Sequence, residues 1–244
     1  MIVLSVDTST MISSCALLED GVIIGEMNIN QQKTHSETLV PMIKDMLERL
    51  EVKPEKIDLY AVGKGPGSFT GLRIGMTTVK TMAQVFKKDI IGISTLEALA
   101  YSVASSKKIV PLLDARGGRV YYGIYRWENQ ILEEIEKDEL IYLDKLLERL
   151  PDEDYIFVGE GARIYKDTLI DRGFNVAAES LNSCVGKAFC LLALEKREKG
   201  ILDNPYTLAP EYIRKSQAQR DLELKEGKSS DHSRNESKGS RYSC

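Results

Sequence analysis

Histidine is almost missing from this sequence: of 244 residues only His35 and His232 carry an imidazole. Two rings so far apart in the chain cannot form an H-x-x-x-H pair, whose one-turn spacing puts both nitrogens on one helix face. The sequence supports no Ser/His/Asp or Cys/His arrangement either, and His35 reads as an ordinary helix-start residue rather than a catalytic base. Cys15, Cys184, Cys190 and Cys244 show neither a C-x-x-C pair nor regular spacing, so they read as reduced, core-filling thiols. No apolar run approaches the ~18 residues of a membrane span. The opening "MIVLSVDTST" lacks a basic region followed by a cleavage site, and the expectation is a cytoplasmic protein without membrane contact. Charge of one sign is also lacking. A total of 33 basic against 37 acidic residues leaves a net charge of −4, which gives no overall field for capturing nucleic acid.

What is present is enough apolar residue, 43%, for a sizeable core, at a length that suits two modest halves. The expected boundaries are 1–105 for the first half, 106–215 for a smaller second half and 216–244 for a largely disordered polar tail. "IVLSV" reads as a strand ending at Asp7, and "SCALLEDGVIIGEMNI" as a hairpin turned at Asp20-Gly21. Leu39, Ile43, Met46, Leu47 and Leu50 then follow a helical period. Thr34 and Glu37 fit a capping box, although Pro41 favours a start nearer Ser36 or Thr38. "IDLYAVG" is a strand, and a helix is predicted from Phe69 to Phe86 with Ser68 as N-cap. "DIIGIS" is a strand, and Ser94 with Glu97 caps the helix "TLEALAYSVAS". From "IVPLLDARGG" the pattern of "IVLSVDTST" starts again, which points to an internal duplication. "RVYYGIYRW" and "ILEEIE" follow as strands, "DELIYLDKLLERL" as a helix and "YIFVGEGA" as a strand with a glycine turn. "SCVGKAFCLLALEKREKG" reads as an amphipathic helix capped by Ser183 and ended by Gly200. The order of elements is that of an α/β protein with mixed sheets.

Between the fourth strand and the second long helix stands "GKGPGSFTGLRIG", Gly63 to Gly75. It fails both nucleotide spacings. G-x-x-x-x-G-K-[ST] breaks at Ser68, Thr70 or Leu72, and G-x-G-x-x-G breaks at Ser68 or Thr70. A bare helix N-terminus remains able to hold an anion. Gly71 and Gly75, four apart, predict a close approach of another backbone, because glycine in a helix costs about 1 kcal/mol against alanine. Leu72, Met76, Val79, Ala83 and Phe86 form one apolar face, widened by Ile74, Met82 and Val85. With Met42 and Met46 on the preceding helix, this face suits either core packing or a partner.

Taken in order, "VDTST", "HSETLVPMI", "GPGSFTGLRIG", "GISTLEALA" and "LLDARGGRVYYGIY" resemble the TsaB (YeaZ) family. The resemblance implies an actin-like ATPase, sugar-kinase-like fold of two ribonuclease-H-like halves with mixed sheets, the second half reduced. It also implies work in forming threonylcarbamoyladenosine next to the tRNA anticodon, as a non-catalytic paralogue and partner of TsaD. TsaD carries H-x-x-x-H on the helix where Thr95 and Leu99 stand here, so no metal ligand and no catalytic residue is expected in this chain. ATP and metal are expected on TsaD, with none on this chain. Asp7, Thr8 and Asp114 are the candidate nucleotide-cleft residues by the same resemblance. The expected partner interface is Leu39, Met42, Ile43, Met46 and Leu47 with Leu72, Met76, Val79, Met82, Ala83 and Phe86. The expected partners are TsaD in a heterodimer, TsaE on that pair, a second copy when TsaD is absent, and tRNA only through the complex. The alternatives are a small-molecule kinase or ATPase of the same fold, or a glycoprotease-type metallopeptidase.

Overall fold

Asp20 (φ 48°) and Gly21 (φ 84°) take up left-handed backbone and turn the first hairpin, the conformation an Asp-Gly pair favours. The computed structural model describes residues 1–30, 34–150, 154–182 and 186–213. The positions of Ser183, Cys184, Cys244, His232 and the expected polar tail from 216 lie outside the described residues. The chain divides into a unit Met1–Glu211 and a unit Tyr212–Cys244, and the first of these holds every strand and helix of the described residues.

Strands β1 (Ile2–Asp7), β2 (Ile12–Glu19) and β3 (Val22–Asn30) form an antiparallel meander. Helix α1 (His35–Arg49), strand β4 (Leu59–Gly65), helix α2 (Phe69–Phe86), strand β5 (Asp89–Ser94) and helix α3 (Thr95–Tyr101) complete the first half. The second half runs through β6 (Lys108–Asp114), β7 (Arg119–Glu128), β8 (Ile131–Tyr142), α4 (Leu143–Arg149) and β9 (Tyr155–Val158), then α5 (Glu160–Ile164), α6 (Lys166–Asp171), β10 (Asn175–Val176) and α7 (Gly186–Glu198). The sheets are ordered β3-β2-β1-β4-β5 and β10-β9-β6-β7-β8. Read from the edge of the meander, both follow third, second, first, fourth, fifth, so the repeat glimpsed at "IVPLLD" is a duplicated topology. The second copy is the reduced one, with β10 only two residues long.

Alternation along β1 explains the layering. Leu4 and Val6 join the cluster of α1 and α2 on one face, while Val3 points to the opposite face and the core built on α3 and α7. Val110, Leu112, Val120 and Tyr122 meet α4, α5 and α6 in a third cluster. Helix α7 belongs to the second half in sequence but packs on the first sheet. Gly186 lies against Cys15 and Ala16, and its carbonyl accepts from Ser5 Oγ at 2.8 Å. Helix α3 in turn reaches the second half: Ser94 Oγ, at its N-cap, donates to Asp138 of β8 (2.6 Å), which also accepts from Tyr125 (2.7 Å). Among the described residues no helix is long and apolar enough to cross a membrane.

Three local expectations need correction. Helix α1 starts at His35, one residue from the expected Ser36, but the Thr34 hydroxyl pairs with Ser36 Oγ (3.0 Å) and the capping box does not form. Pro41 is carried inside this helix on an exposed face. Asp138–Tyr142 is strand, not helix, because β7 needs a partner along its full length: Arg119 pairs with Tyr142 and Tyr121 with Leu140. Helix α3 stops at Tyr101, short of the predicted end. By contrast α2 spans Phe69–Phe86 as predicted, with Ser68 Oγ accepting from the Gly71 amide (3.2 Å).

Candidate functional site

The turn after β1 and the start of α2 are built for each other. A Cβ placed on Gly63 would run into Asp7 Oδ1, on Gly67 or Gly71 into the carbonyl oxygens of Ser9 and Thr8, and on Gly75 into Thr8 Oγ1. Four glycines of "GKGPGSFTGLRIG" are therefore where the Asp7-Thr8-Ser9 turn lies on the chain, and only hydrogen fits. Hydrogen bonds fix the contact. Thr8 Oγ1 donates to the Gly71 carbonyl (2.7 Å), and the Ser68 amide donates to the Ser9 carbonyl (2.6 Å). With that amide engaged by Ser9 and the Gly71 amide by Ser68 Oγ, the helix start already has partners for donors an anion would need.

Asp7 is buried, and both of its oxygens are occupied: Oδ1 accepts from the Ser9 amide (3.1 Å) and Oδ2 from Ser9 Oγ (2.9 Å). Burial pushes its carboxyl up to about 6, the Ser9 bonds opposing the rise. His35 closes the turn from the other side. Its Nε2 donates to the Thr10 carbonyl (2.9 Å), which leaves Nδ1 to accept from Ser13 Oγ (2.7 Å). Both ring nitrogens are thus spent on structure.

Asp114 sits at the end of β6 as Asp7 does at the end of β1, but it is tied to the Tyr165 hydroxyl (3.0 Å) and the Arg116 amide (3.2 Å). The two carboxylates share no partner and neither lines the cavity between the halves. That cavity, about 210 Å³, is walled by Met11, Ile12, Leu99 and Leu113, with Glu160, Arg163 and Glu179 at its polar side. The second-half glycine loop is closed in the same manner as the first. A Cβ on Gly159 would stand 2.5 Å from the Leu112 carbonyl oxygen, and one on Gly161 would stand 2.9 Å from Leu112 Cβ. The Gly159 amide is taken by Asn182 Oδ1 (3.1 Å). Small-molecule sites begin near ~300 Å³. With two carboxylates against one arginine, this lining repels a triphosphate more than it attracts one. Among the described residues no group of three or more His, Cys, Asp or Glu is placed to hold a metal ion. Thr95 and Leu99 on α3 are both buried.

The expected interface residues require the largest correction. Leu39, Met42, Ile43, Met46, Leu47, Leu72, Met76, Val79 and Ala83 are 0–5% exposed, all but Leu72 in the cluster beneath α1 and α2, and of the expected residues only Ile43, Leu47 and the partly buried Met82 also line a depression between the helices. The apolar stripe is core. What the two helices offer outward is the groove between them, about 880 Å³, edged by Val40, Lys44, Val52, Thr77, Thr81 and Met82 and floored by Ile43 and Leu47. Val40, 57% exposed, is the groove residue that the apolar period passed over. Its signal is an apolar side chain one position off the stripe, with no polar reason to be there.

Known proteins share this architecture. A family model described as TsaD, tRNA N6-adenosine threonylcarbamoyltransferase, matches residues 22–221. The tRNA threonylcarbamoyladenosine biosynthesis protein TsaB of Bacillus subtilis is 33% identical over 90% of this chain and 96% of its own length. That of Escherichia coli is 30% identical over 68% of this chain and 74% of its own. A Pseudomonas aeruginosa crystal structure, described as similar to peptidase YeaZ, superposes with a TM-score of 0.74 at 25% identity, covering 87% of this chain and 99% of that one. Component A of (R)-2-hydroxyglutaryl-CoA dehydratase from Acidaminococcus fermentans, with a TM-score of 0.51 and 12% identity over 81% of this chain and 99% of its own, shares the fold alone. The two duplicated halves are those of the actin-like ATPase fold.

Proposed function

The chain belongs to the TsaB family of tRNA threonylcarbamoyladenosine biosynthesis proteins, within the wider group that the TsaD model describes, and on that premise we propose that it is the non-catalytic subunit on which a TsaD enzyme assembles. The observation that carries this reading is the pair Thr95 and Leu99: they stand buried on α3, at the places where the resemblance implies that TsaD carries its metal histidines, and neither side chain replaces an imidazole. On this reading TsaD supplies ATP, metal and the transfer of the threonylcarbamoyl group to adenosine. This chain holds no cofactor of its own and meets tRNA only through the complex, as its net charge of −4 allows. The groove between α1 and α2 is the docking surface for TsaD. The same groove serves a second copy when TsaD is absent, TsaE joins the assembled pair, and the complex works in the cytoplasm.

The experiment is co-purification with TsaD. Val40→Asp and Thr81→Arg change exposed groove positions and are expected to abolish the complex while the isolated chain melts as before. Retention of the complex by both would sink the interface. A kinase reading is opposed by the lining of the cleft. Isothermal titration with ATP and Mg²⁺ is expected to give no heat of binding, and tight binding that Asp7→Asn removed would favour the kinase instead.

A further inference from the structure

Beyond α7 the chain returns along the first half as an ordered strap, Ile201–Glu211, held entirely by specific contacts. The Asp203 amide donates to the Ile90 carbonyl of edge strand β5 (2.9 Å), and its carboxylate accepts from the Gly92 amide (2.8 Å). Leu208 is buried in the α1–α2 core, over Gly92, where a Cβ would stand 3.0 Å away. The strap is fastened to α2 as well. Lys80 Nζ donates to the Leu208 carbonyl (2.6 Å), and Gln84 Nε2 donates to the Pro205 carbonyl (2.9 Å). Between these anchors Asn204 nucleates a turn, its Oδ1 accepting from the Tyr206 amide (2.8 Å) and its carbonyl from the Leu208 amide (2.9 Å).

At the centre of that pinned turn Tyr206 is 74% exposed. A large aromatic side chain on a backbone already fixed loses little freedom on contact, which is why such residues anchor interfaces. The turn packs on α2, which also lines the α1–α2 groove. A trough of about 370 Å³ lies between the strap and α2, and Thr77 and Thr81 line both this trough and the groove. The two depressions are one continuous surface shared across α2. Its strap side is cationic: Arg73 and Lys80 line the trough, and α2 carries no acidic residue from Phe69 to Phe86.

We propose that the Asn204–Leu208 turn is the second half of the docking surface, with Tyr206 as its anchor. The partner seated in the α1–α2 groove sets an apolar side chain against Tyr206 and a carboxylate toward Arg73 and Lys80. This rests on the reading that the groove takes the catalytic subunit.

The test is the affinity of the full chain for TsaD by titration, beside its own dimerisation, for the wild type, Tyr206→Ala, Tyr206→Phe and Val40→Asp. Tyr206→Ala is expected to weaken the heterodimer about tenfold or more with an unchanged melting temperature, and Tyr206→Phe to stay within about twofold because the ring is kept. Wild-type affinity for Tyr206→Ala with loss for Val40→Asp would reduce the strap to a cover for β5, overturning this inference and leaving the groove. An equal loss for Tyr206→Phe, or a loss confined to self-association, would overturn it too. Wild-type affinity for both Tyr206→Ala and Val40→Asp would remove the groove as well.

Discussion

Gly71 pits helix propensity against contact. Alanine is the better helix former by about 1 kcal/mol, yet its methyl would occupy the space of the Thr8 carbonyl oxygen. Contact wins because that oxygen belongs to a turn held by Ser68, Ser9 and His35 together. Gly71→Ala is expected to lower stability by about 3 kcal/mol in urea denaturation; a gain would mean that the turn yields. Asp7 gives a pH signature. Its folded carboxyl titrates at about 6 against an ordinary value of 3.8. The folded form therefore keeps its proton where the unfolded form has lost it, and stability falls as pH rises through that window. Below it there is no penalty, and above it the full penalty applies. Asp7→Asn keeps the shape and cannot ionise, so it is expected to gain about 3 kcal/mol at pH 7.5 and nothing at pH 3.5. Denaturation at both pH values decides it, and equal effects at the two would contradict the burial argument. The sequence announced that Gly71 and Gly75 admit a close backbone. It did not say whose, because the Asp7-Thr8-Ser9 turn is distant along the chain.

Helices α1 and α2 show how far an apolar stripe can be read. Its period located both helices, and its width pointed to a partner. Burial by the chain's own sheet and burial by another chain select the same side chains, however, so the stripe alone could not separate them. The residues that face outward, Val40 and Thr81, differ from the core ones only in position around the helix. A paired experiment separates the roles. Val79→Asp places a carboxylate at a site 0% exposed and is expected to unfold the chain, whereas Val40→Asp leaves the fold within about 0.5 kcal/mol and removes only the complex. Circular dichroism melts of both variants check this; if Val79→Asp melts like the wild type, the core assignment is wrong. The end of strand β8 and the strap escaped the pattern for different reasons. In β8, "DELIY" carries apolar residues compatible with either period, and pairing with β7 decided it. In the strap the contacts run largely through backbone carbonyls, which no side-chain pattern encodes.

At the scale of the molecule, duplication accounts for the architecture. Both copies place an aspartate at the end of the first strand and glycines after the fourth, and each sends its last helix to the other half. In both copies the candidate nucleotide-cleft residues are engaged within the chain itself. Asp7 is satisfied by Ser9, Asp114 by Tyr165, and the glycine loops are shut against Thr8 and Leu112. That no H-x-x-x-H pair can form was legible from composition alone, because the chain has only two histidines and they stand far apart. The closed loops were hidden, since open and closed glycine turns have the same composition. On the proposed reading, a fold shared with ATPases is kept for its shape, with its outer helices given over to a partner. The most direct measurement is reconstitution of threonylcarbamoyladenosine on tRNA from purified components, with and without this chain. No product is expected from this chain alone, product from TsaD and its other components only when this chain is added, and loss of that stimulation with Val40→Asp. Modification at full rate without it, or by it alone, would contradict the account.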